Sequence, residues 1–174
     1  TLFPYTTLFR SNLSIRRAHL PFQIQFNDAD LPTHELAFFV KGRFLASQEW
    51  LYRPFLYYVL CKPLDDQATQ ILPLAQKCIQ SCVDQIPLIF HHHRHGATWI
   101  LARRSLACAL LILATVRVGV MIVPDNWQGL VKLSLDTLRK WESYAADLKW
   151  AREVLGDIFK STCEWFDSQH AVST

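Results

Sequence analysis

Residues 96–118, GATWILARRSLACALLILATVRV, decide how this chain is read. As a helix, its roughly 22 residues would reach about 33 Å, the width of a small domain. Arg103 and Arg117 align with Ala107, Leu110 and Ala114 at alternating four- and three-residue steps, so these two charges share one narrow stripe. The remaining directions are dominated by apolar or small residues, the pattern of a helix buried nearly all round. The uninterrupted apolar run, 106–114, is far shorter than the ~20 residues that span a bilayer. The stretch is therefore expected to be a central core helix at about 97–118, with no membrane as a partner.

Composition fits that reading. The chain has 174 residues, 51% of them hydrophobic and 13% aromatic, with only 5 glycines, enough to bury a large single core. Its net charge of +3 is spread thinly, with isolated adjacent basic pairs such as Arg16–Arg17 and Arg103–Arg104. Specific nucleic-acid binding would need a clustered basic face. Five cysteines, an odd number at irregular spacings, argue against a disulfide framework and for a reducing setting. The only methionine is Met121, so the chain is expected to be a piece of something longer.

The helical pattern extends on both sides of the core stretch. Residues 1–11, TLFPYTTLFRS, have no clear period and resemble translated sequencing-adapter sequence. They are expected to be foreign or disordered, ahead of a helical region at 12–167 and a loose tail at 168–174. A short helix or turn is expected around 13–19. Thr33 offers an N-cap for a helix burying Leu36, Phe39, Val40 and Phe44, then Leu51, Phe55, Tyr58 and Val59, with a break or kink at Pro54 and a stop at Pro63. Asp65 and Asp66 open the next helix, which buries Leu74, Cys78 and Cys82, or Ile79, Val83 and Ile86, and ends at Pro87. Past the connection at 91–96 and the core helix, Val131, Leu135, Leu138, Trp141 and Ala145 form an amphipathic stripe, with Asp136 placed to pair with Lys140. A last helix at 147–166 turns Leu148, Ala151, Val154, Leu155, Ile158 and Phe159 inward. No segment alternates as a strand would. The expected fold class is all-α, a bundle or array of five to seven helices around 97–118.

Catalytic signals are missing. No Gly-x-Ser-x-Gly elbow and no phosphate-cradling glycine loop occur, so no enzyme and no catalytic residue is expected. Cys78-x3-Cys82 followed by His91-x3-His95 has the order of a zinc finger. However, only eight residues separate Cys82 from His91, where the finger has about twelve. The two cysteines also lie in an apolar stripe, where free Cys acts as a small core residue. Cys78, Cys82, His91 and His95 are thus weak metal candidates, and the expectation is no metal. Arg103 and Arg117 are expected to snorkel or to pair with acidic side chains on a neighbouring helix. The aromatic run at 50–58 is read as core packing ahead of a stacking platform.

RFLASQEWLYRPFLYY at 43–58 is less generic. It resembles the C-terminal regulatory region of fungal-specific zinc-cluster transcription factors, and the likeness continues through HHHRHGATW at 91–99, VPDNW at 123–127 and TLRKWE at 137–142. The resemblance implies a nuclear transcriptional regulator whose six-cysteine binuclear zinc cluster, in a missing N-terminal domain, reads DNA. No zinc ligand carries over onto these residues, so no cofactor is expected here and DNA is a partner only through the missing domain. The implied partners are a small-molecule effector or a transcriptional co-regulator, and a homodimer is compatible with the likeness. On this reading an effector pocket flanks the core helix near Tyr57, Trp99 and Arg103. The competing reading is a helical interaction or oligomerisation module with no transcriptional role.

Overall fold

The computed structural model describes residues 4–28, 30–62, 65–91 and 98–171. Among them the chain forms six α-helices and no strand: α1 (Pro4–Ala18), α2 (Glu35–Cys61), α3 (Asp66–Phe90), α4 (Thr98–Val118), α5 (Trp127–Trp141) and α6 (Ala146–Ala171). A single 3-10 turn, Phe22–Ile24, precedes α2. The array is the all-α fold expected, and α4 is its axis.

Helix α4 touches α2, α3, α5 and α6. Ala102, Ser105, Cys108, Ala109, Ile112, Leu113 and Thr115 on it are buried, covering most of its circumference. By length and composition alone Trp99–Val118 could cross a membrane, and 50% of it is buried inside the array. Small residues set the spacing. The Ser105 hydroxyl donates to the Ser134 hydroxyl of α5 at 2.9 Å, a polar clasp inside an otherwise apolar seam. The exposed stripe faces α6: Arg103 pairs with Asp147 at 2.7 Å, and Arg117 donates to the Ser161 hydroxyl at 3.2 Å. Both contacts span 44 residues, so α4 and α6 run parallel and in step.

Gly119 ends α4 at φ 70, its amide donating to the Thr115 carbonyl at 3.0 Å. This is the left-handed cap that closes many helices. A Cβ at Gly119 would meet nothing within 4 Å, so a side chain there costs backbone strain alone. Gly119→Ala is expected to lower stability by about 1 kcal/mol, read from a urea melt, with the helical content unchanged.

Several expected boundaries move. Helix α1 starts at Pro4, so 4–11 are helical where disorder was expected, and 1–3 lie outside the described residues. Its apolar side chains Leu8, Phe9 and Ile15 stay exposed. Arg17 ties it down, pairing with Asp28 at 2.8 Å and lying over the rings of Phe26 and Phe44. His34 rather than Thr33 caps α2, its Nδ1 accepting from the Leu36 amide. Pro54 leaves α2 as one helix. Pro63 lies outside the described residues. Pro87 does not end α3, which continues through Phe90. A proline there forfeits only the bond to the carbonyl four residues back, and burial of Ile86, Leu88 and Ile89 holds the turn. Helix α6 runs on to Ala171, so 168–171 are helical rather than tail, and 172–174 are outside the described residues. Asp136 pairs with Arg139 instead of Lys140.

The buried face of early α2 is also not the one expected. Leu36 and Phe39 are exposed, whereas Ala37, Lys41, Leu45 and Ala46 face inward. Hydropathy pointed to the bulkier stripe. The buried stripe mixes Ala37, Leu45 and Ala46 with a charge, and Lys41 is held by the carbonyls of Asp28 and Asp30 at 3.0 and 2.8 Å. Desolvation lowers the Lys41 ammonium below its ordinary value, against the pull of Asp28 and Asp84.

Candidate functional site

Where α2, α3 and α4 diverge at one end, they leave an apolar cavity of about 160 Å³. Helix α2 supplies Phe38, Phe39, Gly42 and Arg43, α3 supplies Gln85, Leu88 and Ile89, and α4 supplies Ile100, Leu101 and Arg104. Each set recurs at three- and four-residue steps, so each helix offers one face to the cavity.

Three polar groups break the apolar wall. Gln85 is only 1% exposed, its amide reaching the Leu45 carbonyl at 3.5 Å, at the edge of hydrogen-bond range. Its Oε1 is buried and has no partner among the described residues. Such an acceptor costs about 1–3 kcal/mol when left dry. Arg43 lies over the Phe39 ring at 5.9 Å. Arg104 is half-buried; desolvation lowers its guanidinium below the ordinary arginine value, with Cys108 and Glu49 pulling the other way. Among the described residues neither arginine has a carboxylate in ion-pairing range. Apolar walls with a few convergent polar groups are the usual makeup of a small-molecule site. The chemistry here suits a compact ligand with an anionic head for the guanidiniums and a donor for Gln85.

The residues named from sequence lie elsewhere. Trp99 and Arg103 are brought together, the guanidinium 4.6 Å from the ring centre, but both are exposed and Arg103 is engaged by Asp147. Tyr57 is 51% exposed on α2. None of the three lines the α2–α3–α4 cavity. The difference amounts to one residue along α4: a step of about 100° turns the cavity wall from Trp99 and Arg103 to Ile100 and Arg104. The adjacent pair Arg103–Arg104 carried a signal, since two neighbours on a buried helix cannot both reach the solvent stripe.

The metal candidates separate too. Cys78 and Cys82 are fully buried in α3, whereas His91 is exposed at its C-terminal end, set edge-on against Phe90. Nine residues of helix put His91 about 13 Å from Cys82. His95 and the connection at 92–97 lie outside the described residues. Two other side chains lie near the cysteines instead. Glu49 of α2, 1% exposed, brings a carboxylate oxygen within 4.8 Å of both sulfur atoms. Cys108 of α4 neighbours Cys82. Hydrogen bonds from Cys108 and Cys78, together with burial, push the Cys82 thiol well above the ordinary range. Arg53 holds Glu49 with two bonds of 2.6 and 2.8 Å.

Compared with protein-family models, curated proteins and solved structures, the chain matches none of them.

Proposed function

We propose that this chain is the C-terminal part of the regulatory region of a fungal zinc-cluster transcription factor, and that it modulates transcription by binding a small effector in the α2–α3–α4 cavity. It does so without binding DNA itself, and the parent protein is nuclear. The likeness at 43–58, 91–99, 123–127 and 137–142 supports the family. The Oε1 of Gln85, without a partner among the described residues and buried in a cavity rimmed by two arginines that find no carboxylate among those residues, carries the effector reading. The cavity is made by three helices, so a ligand seated there can change how α2 sits on α3 and α4. Allosteric coupling requires such a difference between two states.

Gln85→Met tests it. The substitution keeps length and removes the unsatisfied acceptor. Purified protein is expected to gain about 1 kcal/mol of stability, because the cost of the dry oxygen disappears. In the full-length factor the same change is expected to abolish effector-dependent reporter output. A variant that is more stable and still fully responsive would remove Gln85 from the site. The family reading has its own check in the transcript upstream of Asn12, which is expected to encode two Cys-x2-Cys-x6-Cys runs beside a basic segment. An upstream region without them would favour the interaction-module reading, whose support is the exposure of Trp50, Ile122, Tyr144 and Trp150.

A further inference from the structure

We infer that Cys78, Cys82, Cys108 and Glu49 form a binding site for a thiophilic divalent ion of the zinc or cadmium class, enclosed between α2, α3 and α4. The inference does not depend on the family, and it shares Arg104 and the cavity mouth with the effector reading.

Cys78 and Cys82 lie one turn apart on one face of α3, so both sulfur atoms point the same way. Helix α2 brings Glu49 against them, and the Cys78 thiol donates to the Glu49 backbone carbonyl at 3.6 Å. Helix α4 brings Cys108 against Cys82 from the other side. The Glu49 carboxylate oxygen, Cys78 Sγ and Cys82 Sγ are mutually within 4.8 Å. Around a tetrahedral ion with ~2.3 Å bonds to sulfur, donor atoms sit about 3.8 Å apart. Those three donors therefore need only a slight contraction to close on an ion, while Cys108, outside that mutually close set, has to swing in from the Cys82 side. Soft thiolate donors select zinc-class ions over magnesium or calcium.

Core packing accounts for one buried cysteine, and even for three. It does not account for a carboxylate 1% exposed in the same layer, nor for a second cation beside it. Charge settles the difference. Three thiolates and one carboxylate carry four negative charges; a divalent ion with Arg53 and Arg104 carries four positive ones. Arg53 already grips Glu49, and Arg104, half-buried on the helix that carries Cys108, has no carboxylate in ion-pairing range among the described residues. A neutral assembly is what a dry interior tolerates. On binding, each thiol loses its proton to solvent and forms a sulfur–metal bond; nothing is oxidised or reduced. Gln85 and Arg104, which line the cavity, stand about one turn from Cys82 and Cys108 on their helices, so the cavity is the way in.

The test titrates cadmium(II) into the full, reduced, metal-free chain. Expected are one tightly held ion per chain, an ultraviolet thiolate-to-cadmium band of three-sulfur intensity, proton release, and a higher melting temperature. Cys82→Ser should weaken binding by about 100-fold or more, by analogy with the loss of a supporting ligand contact. Cys61 and Cys163 lie outside the cluster, so the double variant Cys61→Ser/Cys163→Ser should leave the band intact. If Cys82→Ser does not fold, cadmium NMR of the unaltered chain still reads the donor set, and three sulfurs with one oxygen is the expected answer. No band in folded protein, a band lost with Cys61 and Cys163, or a donor set with fewer than three sulfurs overturns the assignment.

Discussion

Arg53→Ala is expected to destabilise the metal-free fold by about 3–5 kcal/mol, the cost of leaving a buried carboxylate without its cation. Glu49 is only 1% exposed, and both of its oxygens accept from Arg53, at 2.6 and 2.8 Å. The guanidinium is itself partly solvated, its side chain 32% exposed, so its desolvation is incomplete while that of Glu49 is nearly total. That asymmetry places the loss on the orphaned acid. The hydrogen bond to Glu49 raises the Arg53 guanidinium above its ordinary value, against the opposing effect of burial. The companion double variant Arg53→Ala/Glu49→Gln should recover much of the loss, because a neutral amide in the same place needs no counter-charge. Urea melts of the three proteins decide the matter. A cost for Arg53→Ala of no more than about 1 kcal/mol, typical of an exposed pair, would mean that Glu49 is solvated or that Arg104 takes over the pairing.

Ile112→Ala should cost about 3–5 kcal/mol, at the upper end of core truncations. Ile112 is 0% exposed at the middle of α4, with α3 packed on one side and α5 and α6 on the others. A site collapses into a void when one neighbour is free to move. Here every neighbour is itself buttressed, so the cavity persists and its cost is felt in full. Ile158→Ala is the matched control: the side chain is 37% exposed on α6, and the same truncation should cost less than about 1 kcal/mol. Similar losses at the two positions would mean that α4 is not the axis of the fold.

The axis was legible in the sequence because hydropathy and period agree along 98–118, and the α5 stripe was legible for the same reason: Val131 and Leu138 are buried as expected. The inward face of α6 held through Leu148, Ala151 and Leu155 and failed at Ile158. Early α2 misled, because it carries two stripes. The bulky one, with Leu36 and Phe39, looked like core, yet the buried one includes Lys41 and, further on, Glu49. A charged residue turns inward only when a partner distant in sequence receives it, and no local pattern announces the carbonyls of Asp28 and Asp30. The proposed ion site was not legible for a related reason. Cys78 and Cys82 were visible as a spacing, but Glu49 and Cys108 join them from other helices, 29 and 26 residues away. Arg104 was visible only as the neighbour of the arginine chosen.

The two arginines on the outer stripe of α4 have a consequence that their energies hide. Arg103 to Asp147 and Arg117 to Ser161 are displaced by the same 44 residues, and the two contacts sit about 21 Å apart along the helix. Each is exposed, worth less than about 1 kcal/mol. Between parallel helices whose seam is mostly aliphatic, a slide of one turn exchanges one hydrophobic contact for another at little cost. The arginines make that slide expensive at both ends simultaneously, as the two marks of a vernier agree at only one setting. Their contribution is to alignment: they select one register for α6 among several of nearly equal depth, and they leave the depth of that register to the leucines beneath.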